Sequence, residues 1–473
     1  MAAQTLPPGP QAARNIIQIL QLMRNFQTDL LGFTGGNFAR YGGIWKIEAG
    51  KETQYMIAEP DLIQEILVKQ SDKFNKSSDY KDSDKGFARF LGNGLVTSDG
   101  DFWKRQRKLV APAFHTKRIE AYAQTMVDAT QAMLERWQGH TEVDVDDEMM
   151  RGTLQIVVKT LFNVDISADA KRIGDAMSAL QELVGNNSMV EAFLPLWVPT
   201  PQRARSKKAV RDLDEIVYRL ITEWRKVGKD NGDLLSMLLL ARDDDGNGMN
   251  DKQVRDEAVT LFLAGHDTTA NTLNWTWYLL AQNPDIEAKL HHEIDTVLGG
   301  NLPTLADLRR LPYSEMVIKE SMRLFPPAYF FGRVTIDDVQ LGDFYAPKGT
   351  GIGVSSYSVH RDPRFWDEPE AFQPERFSPE NAENIRKYAY IPFGGGPRVC
   401  IGNSFAMMEA ELMLVIIAQR YQLRLSPGQV VEPNPLLTMK PKGGLPMRIE
   451  ERKVSRPLSV SSHKLENTAV AAN

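Results

Sequence analysis

The chain has 473 residues and a single cysteine, Cys400. One cysteine excludes an intramolecular disulfide framework and suits a reducing compartment. It also argues against zinc, which takes about four protein ligands; there is no second cysteine, and the 7 histidines are scattered without a zinc-type pair. Long hydrophobic runs are missing too. The most apolar early stretch, Ile16 to Leu31, carries Ile16, Ile19, Leu20, Met23, Phe26 and Leu30 at helical spacing, but Gln18, Gln21, Arg24, Asn25 and Asp29 interrupt it. A bilayer span needs roughly 20 mostly apolar residues, so the expectation is an amphipathic surface helix, docked on the core or touching a membrane surface. The segment Met1 to Pro10 lacks the basic flank and apolar run of a secretory signal, and a cytoplasmic location is expected. Basic excess is absent: the net charge of -5 leaves no global footprint for nucleic acid. A Gly-x-Gly-x-x-Gly loop is absent as well, because Gly349-Thr350-Gly351-Ile352-Gly353 brings its third glycine one residue early. With no phosphate-cradling loop there is no nicotinamide or flavin domain, and any electrons must come from another protein.

What is present is ordinary globular material, 42% hydrophobic and 25% charged, enough apolar residue for a large core. No Pro/Gly/Ser-rich linker divides it. Residues 1–453 therefore read as one unit, and the Ser-rich stretch 454–473 as a disordered tail. Two short strands are expected over 44–58 around a turn at Ala49-Gly50-Lys51. Helix follows helix from about 102 to 300, with Pro195, Pro199 and Pro201 marking a break. Strand-like runs return between 333 and 355, Pro-rich irregular sequence fills 361–399, and an apolar helix runs from about 403 to 420. The class is mostly α with a minor β part. Asp243-Asp244-Asp245-Gly246-Asn247-Gly248 begins like a calcium loop, but its twelfth position is Val254 rather than a bidentate Glu, so it reads as a solvated turn.

The densest information lies in Phe393-Gly394-Gly395-Gly396-Pro397-Arg398-Val399-Cys400-Ile401-Gly402. Three glycines permit a tight fold with amide N–H groups close to a neighbour. Cys400 also stands just before a helical run, where unpaired N–H groups and the helix dipole favour an anion. Both features are expected to lower a thiol pKa. A lone cysteine is more often an inert core residue, and a nucleophile paired with a distant histidine also fits. The loop alone leaves inert thiol, nucleophile and metal ligand open.

Four further motifs accompany it: Ala264-Gly265-His266-Asp267-Thr268-Thr269 inside an apolar helical run, Glu320-Ser321-Met322-Arg323, Pro374-Glu375-Arg376-Phe377, and Trp103-Lys104-Arg105-Gln106-Arg107. Glu320 and Arg323 share a helix face, as do Trp103 and Arg107. In kind, order and spacing these motifs, with Phe393, Gly396, Cys400 and Gly402, resemble the cytochrome P450 family of haem-thiolate monooxygenases. The resemblance runs from about Leu6 to Glu450.

The resemblance implies a prism-like α fold with haem b (iron protoporphyrin IX) between the helix of Asp267 and the helix after Cys400. Cys400 would be the axial iron ligand, with Phe393 packed beside the sulfur; a thiolate pushes electron density onto the iron and favours O–O cleavage. Ala264 and Gly265 would let the helix approach the haem face. Asp267 and Thr268 would be the acid–alcohol pair that delivers the protons dioxygen cleavage requires; His266 would point away. Glu320, Arg323 and Arg376 would form a buried triad bracing the cysteine loop. Arg107, Arg398 and Arg333, with the Trp103 indole N–H, would hold the haem propionates, since burying carboxylates demands planar cationic donors. Phe87, Phe90, Leu91, Ala328, Tyr329, Phe330 and Leu437 would wall an apolar substrate pocket in which Tyr329 is the polar handle. A lipophilic substrate follows. Lys104, Arg105 and Lys108 read as a solvated helix face that, with Lys117 and Arg118, would attract an acidic ferredoxin or flavodoxin and its reductase. Alternatives kept beside this reading are a peroxide-using enzyme of the same fold, a haem sensor without catalysis, and a cysteine hydrolase.

Overall fold

The computed structural model describes residues 5–83, 86–162, 172–176, 179, 198 and 200–452. The expected tail at 454–473 and the break at Pro195 and Pro199 lie outside them.

Helices dominate, as expected. Asp251–Gln282, 32 residues long, is about 48 Å from end to end. Its start is fixed by a reciprocal cap: the Asn250 side chain accepts from the Gln253 N–H, and the Gln253 side chain accepts from the Asn250 N–H, both at 2.9 Å. Buried residues occupy every face, the pattern of a helix passing through the interior. It packs on helices Val145–Phe162, Pro312–Leu324 and Asn403–Arg420. Within it Thr268, Thr269, Thr272 and Thr276 each donate a hydroxyl to the carbonyl four residues back. Such bonds satisfy hydroxyls where no water is available, and they bend a helix.

The helix Asn403–Arg420 is equally internal, with Leu412 to Ala418 fully buried. It joins Met126, Met133, Trp137, Trp277, Val317 and Ile318 in the main core.

The β part is smaller. One five-stranded sheet runs in the order Ile44–Ala49, Glu52–Ile57, Gly351–Ser355, Phe330–Thr335, Phe74–Lys76. Its second and third strands are parallel and the other pairs antiparallel. A hairpin of Pro433–Pro435 and Met439–Pro441 is pinned to the central helix by the Trp275 indole, which donates to the Met439 carbonyl at 2.9 Å.

The early amphipathic pattern forms a helix over Ile16–Thr28, shorter than the expected stretch to Leu31. Asp29 breaks it and its carboxylate caps a second helix, Leu30–Tyr41, by accepting from the Gly32 N–H at 2.8 Å. Leu22 and Phe26 dock against Trp45 and Met56, while Ile16 and Ile17 remain 58% and 65% exposed. No helix among the described residues is long and apolar enough to cross a membrane.

One buried carboxyl gives the fold a pH dependence. Glu257 accepts from the Leu95 N–H at 3.0 Å, and burial, against that bond, pushes its pKa up to about 8. Between its ordinary value and about pH 8 the folded chain therefore binds more protons here than the unfolded chain, and stability falls as pH rises. Glu257→Gln should reduce that slope, the remainder coming from Glu411, whose pKa burial also raises to about 8. The readout is thermal midpoint against pH from 5 to 8, and an unchanged slope refutes the assignment.

Candidate active site

The cysteine loop is held from both ends. The Cys400 N–H donates to the Phe393 carbonyl at 3.0 Å, closing the loop. Gly394 and Gly396 take φ of 70° and 66°, the left-handed region that suits glycine. At Gly396 a Cβ would stand 1.9 Å from the Leu67 carbonyl oxygen, so no side chain fits. Cys400 precedes the helix that starts at Asn403. Its sulfur is open to an interior cavity rather than to bulk water.

That position changes one expectation. Burial pushes the Cys400 thiol up, and the Gly402 N–H and Arg107 guanidinium pull it down without reversing the shift. The protein alone thus favours a neutral thiol. A cation bound at the sulfur would ionise it.

Across the cavity the central helix presents Ala264, Gly265 and Thr268. The Thr268 hydroxyl donates to the Ala264 carbonyl at 2.6 Å. Gly265 is small for an additional reason, since a Cβ would press on Val157 Cγ2 at 3.2 Å. Asp267 is buried beside this surface: its carboxylate accepts from the Thr438 hydroxyl, and its backbone carbonyl accepts from the Asn271 amide at 3.0 Å. His266 turns the other way, stacked on Phe262, and burial lowers its pKa to about 4.

The three members of the expected triad meet. Arg323 donates to both Glu320 oxygens at 2.7 and 2.8 Å, and both side chains have zero exposure. Arg376 reaches Glu320 at 3.3 Å. Arg323 also donates to the carbonyls of His360, Pro369 and Ala371. His360 continues the line: its Nε2 accepts from the Ile391 N–H at 2.8 Å, two residues before Phe393. The triad is thereby tied to the cysteine loop through one imidazole.

The cationic cradle is larger than the sequence suggests. Lys76, not singled out there, stands directly opposite Arg333 on neighbouring antiparallel strands. Like charges so placed repel. Arg333 is buried, donates to the Gly332 carbonyl and stacks near Phe331, with no carboxylate at ion-pair distance among the described residues. Arg398 lies over the Trp103 ring at 4.1 Å and is paired with Asp99 at 2.6 Å. Burial, with Arg333 and Arg107 nearby, takes its pKa down to about 10; burial, Arg333 and Arg398 hold Lys76 well below its usual value. Asp99 is shared further with Lys81 at 3.1 Å. Lys76, Arg333 and Arg398 gather at one end of the cavity, with Asp99 as their nearby acid and Arg107 beside Cys400. Each uncompensated buried charge costs several kcal/mol, and a dianion would relieve them. A thiol awaiting a cation and an excess of cations awaiting a dianion are what a haem would satisfy from its two sides, so the residues fit the group.

The pocket residues also come together. Phe87, Phe90, Leu91, Leu263, Ala328, Phe330, Phe331 and Leu437 line a cavity of about 1040 Å³ that shares Ala264, Thr268, Phe331 and Arg333 with the adjoining 360 Å³ space over Cys400. Tyr329 lines it as well, but its hydroxyl is already given to the carbonyls of Pro435 and Leu436 at 3.0 and 2.7 Å. It anchors the hairpin instead of offering a free donor.

The helix Gly100–Val110 does not present a wholly solvated face either. Arg105 is bound to Asp243 at 2.7 Å and Lys108 to Asp244 at 2.5 Å. The Asp243–Gly248 turn docks on this helix and offsets part of its positive charge.

A sequence profile of the cytochrome P450 family matches residues 7–447. The chain is 37% identical to cyclooctatin synthase of Streptomyces melanosporofaciens over 402 residues, 84% of this chain and 87% of that one. It is 36% identical to cyclooctat-9-en-7-ol 5-monooxygenase of the same organism over 393 residues, 82% and 84% of the two chains. Pentalenene oxygenase of Streptomyces avermitilis is 34% identical over 423 residues, 88% and 92%.

Proposed function

Because this chain belongs to the cytochrome P450 family and is a haem-thiolate monooxygenase, we propose that it hydroxylates a terpenoid-like hydrocarbon skeleton, using haem b and electrons from a separate ferredoxin or flavodoxin. The observation that carries this is the single cavity system in which the Cys400 sulfur, the Ala264–Thr268 surface and an apolar wall face one another. Hydrocarbon suits that wall, because the phenylalanines and leucines offer contact area and both lining phenols are engaged, Tyr329 with the hairpin carbonyls and Tyr80 with the Gly332 backbone. By name, two of the relatives act on cyclooctat-9-en-7-ol and on pentalenene, which supports the same class.

Residues 1–453 act as one catalytic unit, in the cytoplasm. Cys400 is the iron ligand. Lys76, Arg333, Arg398 and Arg107 hold the propionates, with Trp103 as the platform under Arg398. The haem, once bound, supplies dioxygen activation and oxygen transfer to carbon. The chain's own residues orient the substrate, exclude bulk water and move protons. Thr268 can pass a proton while its hydroxyl exchanges the Ala264 carbonyl for a partner in the cavity, and Asp267 behind it can supply one.

Thr268→Ala should keep full haem content and an unaltered reduced carbon-monoxide spectrum. It should lower product per electron by about ten-fold or more and raise hydrogen peroxide correspondingly. Turnover with hydrogen peroxide alone, unaffected by this change, would favour the peroxide-using alternative. A panel of sesquiterpene, diterpene and fatty-acid probes read by spin-state shift tests the substrate class. Fatty acids binding more tightly than both hydrocarbon groups would overturn it.

A further inference from the structure

The turn between Pro433–Pro435 and Met439–Pro441 does two things at once. Leu436, Leu437 and Thr438 line the substrate cavity. Thr438 also donates its hydroxyl to the Asp267 carboxylate and accepts from the Asn271 amide at 3.0 Å, a closed arrangement in which all three side chains are buried. Asn271 is backed in turn by Asn274, which donates to Asp146 at 2.6 Å. The far side of the turn is held by Tyr329 through the Leu436 carbonyl and by the Met439 N–H on the Pro327 carbonyl at 3.1 Å.

We propose that Thr438 is the positioning residue for Asp267 and that, through it, occupation of the substrate cavity sets where the carboxylate stands. This rests on the monooxygenase reading, in which Asp267 supplies protons. A molecule pressing on Leu437 must displace or brace the turn. The hydroxyl oxygen, two bonds from that backbone, is hydrogen-bonded to the acid, so Asp267 cannot keep its geometry if the turn moves. In a low-dielectric site such a bond is strong, and its loss leaves a buried carboxylate with one donor fewer, a change that alters both the acid's rotamer and its readiness to release a proton. The consequence is a coupling between pocket filling and proton supply: an empty pocket holds the acid in its bonded place, and a filled one adjusts it.

Hydroxyl, not volume, is the operative feature, and that separates this role from simple packing. The test uses the haem-loaded protein with 4-phenylimidazole as a pocket-filling probe, its dissociation constant read from the Soret shift in wild type, Thr438→Val, Asp267→Asn and the double variant. The two single changes should be non-additive, with an interaction of at least about two-fold in the constant, as expected for groups in direct contact. Thr438→Ser, which keeps the hydroxyl, should behave as wild type. With a ferredoxin and its reductase as electron source, Thr438→Val should divert more electrons to hydrogen peroxide, and Thr438→Ser should restore the partition. Thr438→Ala serves if the valine variant does not accumulate. Additive binding changes, or a serine variant no better than the valine, overturn the proposal. Failure of the underlying reading looks different: the wild-type protein itself would then lack the thiolate carbon-monoxide spectrum.

Discussion

Arg323→Leu is expected to destabilise the protein by about 3–5 kcal/mol, because it leaves the Glu320 carboxyl at zero exposure without its bidentate partner. The loss extends beyond one pair. Arg323 supplies donors to three carbonyls in the irregular 360–371 segment, and those acceptors would be orphaned together. Since His360 links that segment to Ile391, the cysteine loop should loosen as well, and haem retention should fall with stability. Replacing Glu320 and Arg323 together by leucine should recover part of the stability, since the fully buried carboxylate is no longer stranded and only the less buried Arg376 loses its partner, while haem retention stays poor because the carbonyls still lack donors. The measurement is thermal unfolding by circular dichroism alongside haem content by absorbance. An Arg323→Leu protein with the wild-type midpoint and full haem content contradicts the bracing role.

Cys400→Ser is the second large effect. A serine hydroxyl is isosteric, so the loop that closes through the Cys400 N–H and Phe393 should persist. The hydroxyl cannot supply a soft anionic donor at neutral pH. The variant should fold, bind haem more weakly through the remaining cationic cradle, and lose monooxygenation below detection. Retained activity in this variant would exclude the sulfur from the chemistry.

Much of the architecture was legible because it depends on local pattern. The Cys400 helix and the Asp267 helix announce themselves by length and apolar content, and the strand pairs by turn glycines. Glu320 and Arg323 were readable from helical spacing, and their meeting with Arg376 followed from the family pattern. What the sequence hid is long-range. Lys76 lies in a short strand with no periodic signal, and only its register opposite Arg333 makes it part of the cradle. Thr438 meets Asp267 across 171 positions of chain. Tyr329 reads as a pocket phenol until the hairpin carbonyls that take its hydrogen are seen. Arg105 and Lys108 look like a free basic face until the aspartates of the 243–248 turn fold back onto them. The thiol expectation erred for a related reason: glycine N–H groups and a helix start are visible in sequence, whereas the burial that outweighs them is not.

The proposed bond between the Cys400 thiolate and the iron of a haem held in this cavity has a distinctive spectrum. It is tested most directly by the carbon-monoxide difference spectrum of the reduced, haem-loaded wild-type protein. A strongly red-shifted Soret band, absent from Cys400→Ser, is the result expected. An unshifted band in the wild type, or a protein that remains colourless after haem-replete expression, would contradict the account.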